Sequence, residues 1–245
     1  MRRERVPPDG RQAFRLRISA PPCLADSPRK AELGYKSAQT ASPFVARGLK
    51  MPPADAPCMI TVCGLEELAG HADRQVSHVL SILDPDMAEP EAFGTYGEHA
   101  RLELKFHDII EETAGFLAPQ PEHIAQILEF GAALLREPEN IRHLLVHCHA
   151  GISRSTASMT LLLAQAQPEL SAAGVLAQIL HIRDKAWPNL RILTLGEEQL
   201  GRSGEFTTAV GAIYRYQLER RPEIKDFFLD GGRRREIEVA LGRKL

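Results

Sequence analysis

The apolar positions of this chain fall into a regular pattern only from about residue 57 onward. Cys58-Met-Ile-Thr-Val-Cys63 is a short run rich in strand formers and closed by Gly64, which predicts a strand. Leu65, Leu68 and Ala69 then recur at helical spacing up to Arg74. Ser77 to Leu83 predicts a second strand, ended by Asp84-Pro85-Asp86, and Arg101 to Phe106 alternates polar with apolar, as a strand with one covered face does. No period survives from His107 to Gln120, which reads as a loop. Pro121 suits the first turn of a helix whose apolar stripe runs through Ile124, Ile127, Leu128, Ala132 and Leu135. Leu144 to Val146 predicts a strand, and Ser155 to Gln165 is apolar enough for a buried helix. Stripes through Val175, Leu176, Ile179 and Ile182, and through Phe206, Val210, Ile213 and Tyr216, add further helices. Strands alternating with helices predict an α/β fold with a central, mainly parallel sheet flanked by helices.

The stretch HLLVHCHAGISRSTASMTLL, His143 to Leu162, places Cys148 in a loop between a buried strand and the start of a helix. Unpaired N–H groups and the positive end of the helix dipole make such a place an anion site, and they favour thiolate over thiol. Gly151 lets the loop bend so that its amides converge, and Arg154 offers a planar fork that matches two phosphate oxygens. Nucleophile, amide cradle and cation together predict a phosphate-binding loop that carries its own thiol. Three plainer readings compete: a buried core cysteine, half of a disulfide, and a metal ligand. Cys23, Cys58, Cys63 and Cys148 are scattered without Cys-x-x-Cys spacing, which argues against a disulfide framework and suits a reducing cytoplasm. His147 and His149 flank the thiol, but no third ligand follows at a defined spacing, so no metal is assigned.

Composition adds boundaries. With 44% hydrophobic and 25% charged residues in 245, the chain has the balance of a soluble globular protein, and no apolar run approaches the roughly 18 residues that span a bilayer. Residues 1–50 hold 11 Lys or Arg against 4 Asp or Glu, about +7, which leaves about −9 for the remainder. We read 1–56 as a basic extension unable to bury a core, 57–230 as one catalytic domain, and 231–245 as a basic tail. The extension is either a targeting arm, a disordered tail, or the result of a start set too early, with Met51 or Met59 nearer the true beginning. Arg233-Arg-Arg235 reads as a solvated face without a partner, and neither nucleic acid nor membrane is expected to bind.

His147-Cys148-His149-Ala150-Gly151-Ile152-Ser153-Arg154-Ser155 resembles the His-Cys-x-x-Gly-x-x-Arg-Ser signature of the cysteine-dependent protein tyrosine phosphatases at every fixed position. The resemblance extends over Met59 to Tyr216, with Asp108 after a strand and Trp187-Pro188-Asn189 after a helix holding Arg183, as in the compact dual-specificity branch. The long His107 to Gln120 loop and the Gly196 to Arg202 segment depart from the commonest compact form. The resemblance implies that Cys148 attacks phosphorus, while the loop from His149 through Ala150, Gly151, Ile152 and Ser153 holds the oxygens together with Arg154. Asp108 would protonate the leaving group and then activate water, Ser155 would bond the departing thiolate, and His147 would hold the loop and favour the ionised cysteine. No metal or cofactor is needed. Asp84, Asp86, Glu111 and Glu112 compete with Asp108 for the acid, and Cys63 is a candidate to trap Cys148 as a disulfide. Trp187 and Asn189 are expected to be core and loop residues. With no lysine among the variable loop positions, singly phosphorylated substrates are favoured: a phosphotyrosine protein, with phosphoserine and phosphothreonine as an open extension, or a small phosphate monoester. A rhodanese-type sulfurtransferase and a phosphate-binding module with little turnover are the alternatives.

Overall fold

The computed structural model describes residues 59–243, so the basic extension, Cys23 and Cys58 lie outside the described residues. Four strands form one sheet: β1 (Met59–Cys63), β2 (His78–Leu83), β3 (Ala100–Lys105) and β4 (His143–His147), in the order β1-β4-β2-β3. Every neighbouring pair is parallel, with Cys63 opposite His147 and His147 opposite Ser81. The order carries β4 to the middle, so the chain leaves the sheet beside the ends of both β1 and β2. Such a position, at the carboxyl ends of parallel strands, is where ligands bind in open α/β sheets.

The alternation within β4 assigns its side chains to two cores. Leu144 and Val146 join the larger cluster, with Leu80, Ile82, Leu102 and Leu104, while Leu145 joins Cys63, Val79, Leu68, Phe93 and Tyr96 on the other face. That second face is covered by two short 3-10 segments, Leu65–Arg74 and Glu91–Thr95. The first occupies the span where helical spacing was expected, wound more tightly.

The helices are α1 (Pro121–Arg136), α2 (Arg154–Ala166), α3 (Ala172–Ile182), α4 (Leu190–Gln199), α5 (Glu205–Ala209), α6 (Gly211–Arg220), α7 (Ile224–Asp230) and α8 (Arg234–Ala240). α2 is buried from Arg154 through Ala164 because α1, α3, α4 and β4 all pack around it. α1 buries Ile124, Ile127, Phe130, Gly131 and Leu134, whereas Leu135, expected in the stripe, is 49% exposed. Gly131 faces α2, where a methyl group would meet Leu162 and Gln165. The single helix expected through Phe206 and Tyr216 is broken near Val210, and Tyr214 rather than Tyr216 is buried. Gly211 meets the carbonyl of Val239, and Tyr214 stacks on Trp187 with ring centroids 4.4 Å apart.

The expected solvated tail is in part a packed element. α8 buries Glu236, Ile237, Val239 and Ala240, and Arg233 just before it is 6% exposed. Apolar residues at Ile237, Val239 and Ala240 give that segment a face to bury, which the basic run Arg233–Arg235 hides from a composition reading. Phe228 of α7 closes the second side of Trp187 at 4.3 Å, so the indole lies between two aromatic rings. Among the described residues, no helix is long and apolar enough to cross a membrane.

Candidate active site

β4 ends at His147, and the chain turns at once into a loop that closes on Arg154, the first residue of α2. The loop crosses the end of β1 at backbone contact. Leu65 N–H donates to His149 O at 2.8 Å, and a Cβ at Gly151 would lie 2.3 Å from the Cys63 carbonyl carbon. Gly151 also has φ +65°, a left-handed conformation, so geometry and space both require glycine there.

The loop's carbonyls are held from outside. Arg183, the residue that ends α3, donates through Nε to Gly151 O at 2.9 Å and through Nη2 to Ala150 O at 3.1 Å. Its Nη1 and Nη2 grip both carboxylate oxygens of Glu67 at 2.9 and 2.7 Å, and Glu67 also accepts from Gly64 N–H at 2.6 Å. The hydrogen bond from Arg183 holds the Glu67 carboxyl down at about 2. Ile152 O and Ser153 O accept from the Trp187 and Asn189 amides at 2.8 and 3.3 Å. With its carbonyls turned outward, the loop turns its N–H groups inward. Among the described residues, the amides of His149, Ala150, Gly151, Ile152 and Ser153 donate to no backbone or side-chain acceptor.

The thiol and the guanidinium sit inside this ring. Cys148 is buried, and its Sγ lies 3.1 Å from Ser155 Oγ. Arg154 is also buried; its Nη1 donates to Asp84 Oδ1 at 2.6 Å and to Phe106 O at 2.5 Å, while its Nε has no partner among the described residues. A buried guanidinium N–H without an acceptor costs free energy unless an anion takes it. Convergent amides and a forked cation around one sulfur are the donor set of a tetrahedral oxyanion.

Asp108, the expected acid, stands at the edge of the loop. Its Oδ1 accepts from Ser153 Oγ at 2.7 Å and Asn189 Nδ2 at 2.9 Å, and it pairs with Arg233 Nη1 at 3.3 Å. Burial pushes the carboxyl up, but Arg233, Arg154 and the bonds from Ser153 and Asn189 outweigh it and leave it below the usual carboxylate range. Among its rivals, Asp84 is bound to Arg154 and lies 3.6 Å from His149 Nδ1, while Glu111 pairs with Arg235 and Glu112 with Arg191. Ser153, expected only as a loop position, gives its side chain to Asp108 rather than to capping α2.

His147 lies beneath the loop. Its Nε2 lies 2.8 Å from Ser81 Oγ, which ties β4 to β2 beneath the loop. Burial pushes the ring down to about 4, so at neutral pH it is uncharged and adds no positive charge to favour a thiolate. Cys63 packs in the smaller core cluster and Cys148 in the larger, close enough for each thiol to feel the other's charge, and burial pushes the Cys63 thiol up to about 12, which disfavours the thiolate that a disulfide partner needs. Asn189 is buried as expected, but it also caps α4 and touches Asp108.

Glu67 is left unmarked by the sequence, whereas Asp84 is marked there only as a rival acid, Arg183 only within the resemblance, and Arg233 only as part of a solvated basic run. Asp84 had a signal, a carboxylate at the end of the strand beside β4; Arg183 had the weaker one of ending a helix.

No protein-family model matches the chain, and no curated protein matches it. Solved structures with a similar fold include human DUSP28, at a TM-score of 0.44 and 19% identity, covering 58% of this chain and 91% of that one. The Cydia pomonella PTP-2 phosphatase gives a TM-score of 0.46 at 16% identity, covering 57% and 84%. Tk-PTP in its active form gives 0.42 at 18% identity, covering 59% and 92%.

Proposed function

We propose that the protein hydrolyses phosphate monoesters through a cysteinyl-phosphate intermediate. The observation that carries this reading is the ring of unpaired loop amides and Arg154 Nε around the buried Cys148 sulfur. In the first step the Cys148 S–P bond forms as the ester P–O bond breaks, and a proton passes from Asp108 to the leaving oxygen. In the second, water attacks phosphorus, its proton returns to Asp108, and the sulfur leaves with Ser155 Oγ as its hydrogen-bond donor. The loop amides and Arg154 hold the equatorial oxygens as charge shifts between steps. No step calls for a metal.

The substrate class we assign is a singly phosphorylated ester, phosphotyrosine in proteins, with phosphoserine and phosphothreonine as an open extension. No lysine lies in the loop to meet additional phosphates, and His149, the nearest titratable loop residue, has its ring pushed down by burial. Ser153 and Arg154 are engaged inward, so a second phosphate at the rim would find no free cation from the loop.

Hydrolysis of p-nitrophenyl phosphate by wild type and Cys148→Ser, in EDTA and across about pH 5 to 8, tests the reading. We expect turnover that resists EDTA and is lost in the variant. Turnover that survives Cys148→Ser refutes the nucleophile. Absence of turnover, with thiosulfate-to-cyanide transfer in its place, establishes the sulfurtransferase alternative.

A further inference from the structure

The carboxyl of Asp108 is bound on one side only. Ser153 and Asn189 donate to Oδ1, the closest contact of Arg233 is also to Oδ1, and among the described residues no hydrogen bond reaches Oδ2. Ser153 and Asn189 belong to the loop and to the start of α4. Arg233 comes from the carboxyl-terminal segment, 125 positions further along the chain than Asp108.

Arg233 is itself built in. It donates through Nη2 to Ser153 Oγ at 2.8 Å and to Glu236 Oε1 at 2.7 Å, and its guanidinium lies 4.9 Å from the centre of the Phe228 ring. Glu236 is fully buried and accepts from Trp187 Nε1 at 2.7 Å and from Leu190 N–H at 2.9 Å. The segment is thus anchored to the two residues that flank Pro188 and Asn189, and through Ser153 to the phosphate-binding loop. A solvated surface arginine would have none of these partners.

We infer that Arg233 is a positioning residue for Asp108: it fixes Oδ1, so that Oδ2 faces the site and carries the proton exchanged with the leaving oxygen and with water. The inference rests on the phosphatase reading above. It makes the carboxyl-terminal helices part of the active site, supplying a cation that the sequence places in an apparent tail.

The groups that face Asp108 define what its titration should do. They are Arg233 before α8, Arg154 at the start of α2, His149 in the loop and Tyr214 of α6, with Glu236 acting through Arg233. Arg233 and Arg154 both favour the carboxylate, and the incoming phosphate dianion offsets Arg154. Removing Arg233 therefore raises the pH at which the acid loses its proton, and a guanidinium beside a carboxylate moves it by about one to three units.

The test compares wild type, Arg233→Met, Arg233→Lys and the double variant Arg233→Met/Glu236→Gln on two substrates over a range of pH. Phenyl phosphate has a leaving group that needs the proton; p-nitrophenyl phosphate has one that does not. The double variant removes both buried charges, so that it folds without an unpaired carboxylate if Arg233→Met does not. We expect kcat/KM on phenyl phosphate, set at the step in which the leaving oxygen departs and before water attacks, to fall by about tenfold or more while kcat/KM on p-nitrophenyl phosphate changes by less than about threefold, within the reach of general acid catalysis. The basic limb of the phenyl phosphate profile should move up by about one pH unit in the Met variants and by less in Arg233→Lys. Equal losses on both substrates with an unmoved limb would overturn the inference, showing a structural role alone. Wild type without Cys148-dependent turnover on either substrate overturns the phosphatase reading, and this inference with it, and is told apart by that loss in the unsubstituted protein.

Discussion

Replacing Gly151 with alanine adds one methyl group at the point where the loop crosses β1. The new Cβ would stand 2.3 Å from the Cys63 carbonyl carbon and 2.5 Å from both Cys63 O and Gly64 N, where ordinary contact begins at 3.4 Å. Relief requires about 1 Å of movement, and all three neighbours are backbone. They cannot turn aside, because Cys63 is paired with His147 in the sheet and Leu65 N–H is bonded to His149 O. The left-handed conformation at φ +65° adds about 1–2 kcal/mol for any residue with a side chain, and overpacking adds about 1–3. Folding stability should therefore drop by about 2–5 kcal/mol, read as a lowered urea midpoint at unchanged slope. If the loop lifts instead, the amides no longer converge, and a displacement of that size costs on the order of 100-fold in turnover. Urea unfolding, calorimetric titration with inorganic phosphate and steady-state kinetics together check this. Gly196→Ala serves as the comparison: the three atoms nearest its Cβ all belong to the Leu161 side chain, so it should destabilise the fold while leaving phosphate affinity intact. A Gly151→Ala protein that loses less than about 1 kcal/mol and binds phosphate like wild type would refute the reasoning.

Three further outcomes follow from other parts of the structure. The His147 ring, held at about 4 in the fold against an ordinary 6.5, stays neutral while the unfolded chain takes up a proton; its contribution is complete above about pH 6.5 and is lost between there and pH 4. That loss amounts to about 3 kcal/mol, and His147→Gln should flatten the dependence of the urea midpoint on pH over that window; an unchanged slope would assign it elsewhere. Arg183→Met should weaken inorganic phosphate binding by about tenfold, with Arg183→Lys little better because an ammonium cannot bridge Glu67 and two carbonyls as a fork does, and wild-type affinity in both would refute the clamp. Glu197, buried, accepts from the amides of Phe206 and Thr207 and from the Thr207 hydroxyl, so Glu197→Ala should cost about 2 kcal/mol of stability, measured by thermal or urea unfolding, while p-nitrophenyl phosphate turnover at a permissive temperature stays within about twofold.

Local order was legible in the sequence where one chemical rule governs one stretch. β1, β2 and β4 were visible because buried parallel strands concentrate β-branched and apolar residues, β3 was visible because its polar and apolar residues alternate, and the loop was visible because Cys148, Gly151, Arg154 and Ser155 carry its chemistry within eight positions. Helix faces were less certain: the buried face of α1 runs through Phe130, Gly131 and Leu134 rather than Leu135, and the span from Phe206 to Tyr216 was read as one helix because no proline marks the break. The contacts that complete the site were not legible. Arg154 meets Asp84 across 70 positions, and Arg233 meets Ser153 across 80. Such pairs depend on which strands are neighbours and on where a terminal segment returns, and neither is written in a local pattern. The basic run Arg233–Arg235 carried a misleading cue, since an arginine that will be buried has the same letter as one that will be solvated.

Trp187, enclosed by Tyr214 and Phe228, is the chain's single tryptophan. Its indole N–H is bonded to Glu236, the same carboxylate that holds Arg233. Emission excited at tryptophan wavelengths therefore comes from one place, the joint between the phosphate-binding loop and the carboxyl-terminal helices. Release of those helices would strip one aromatic wall from the indole, admit water and move its emission to the red. The protein thus carries an intrinsic optical gauge of whether its carboxyl-terminal helices are seated, needing no label and reporting from a ring that takes no part in the proposed chemistry.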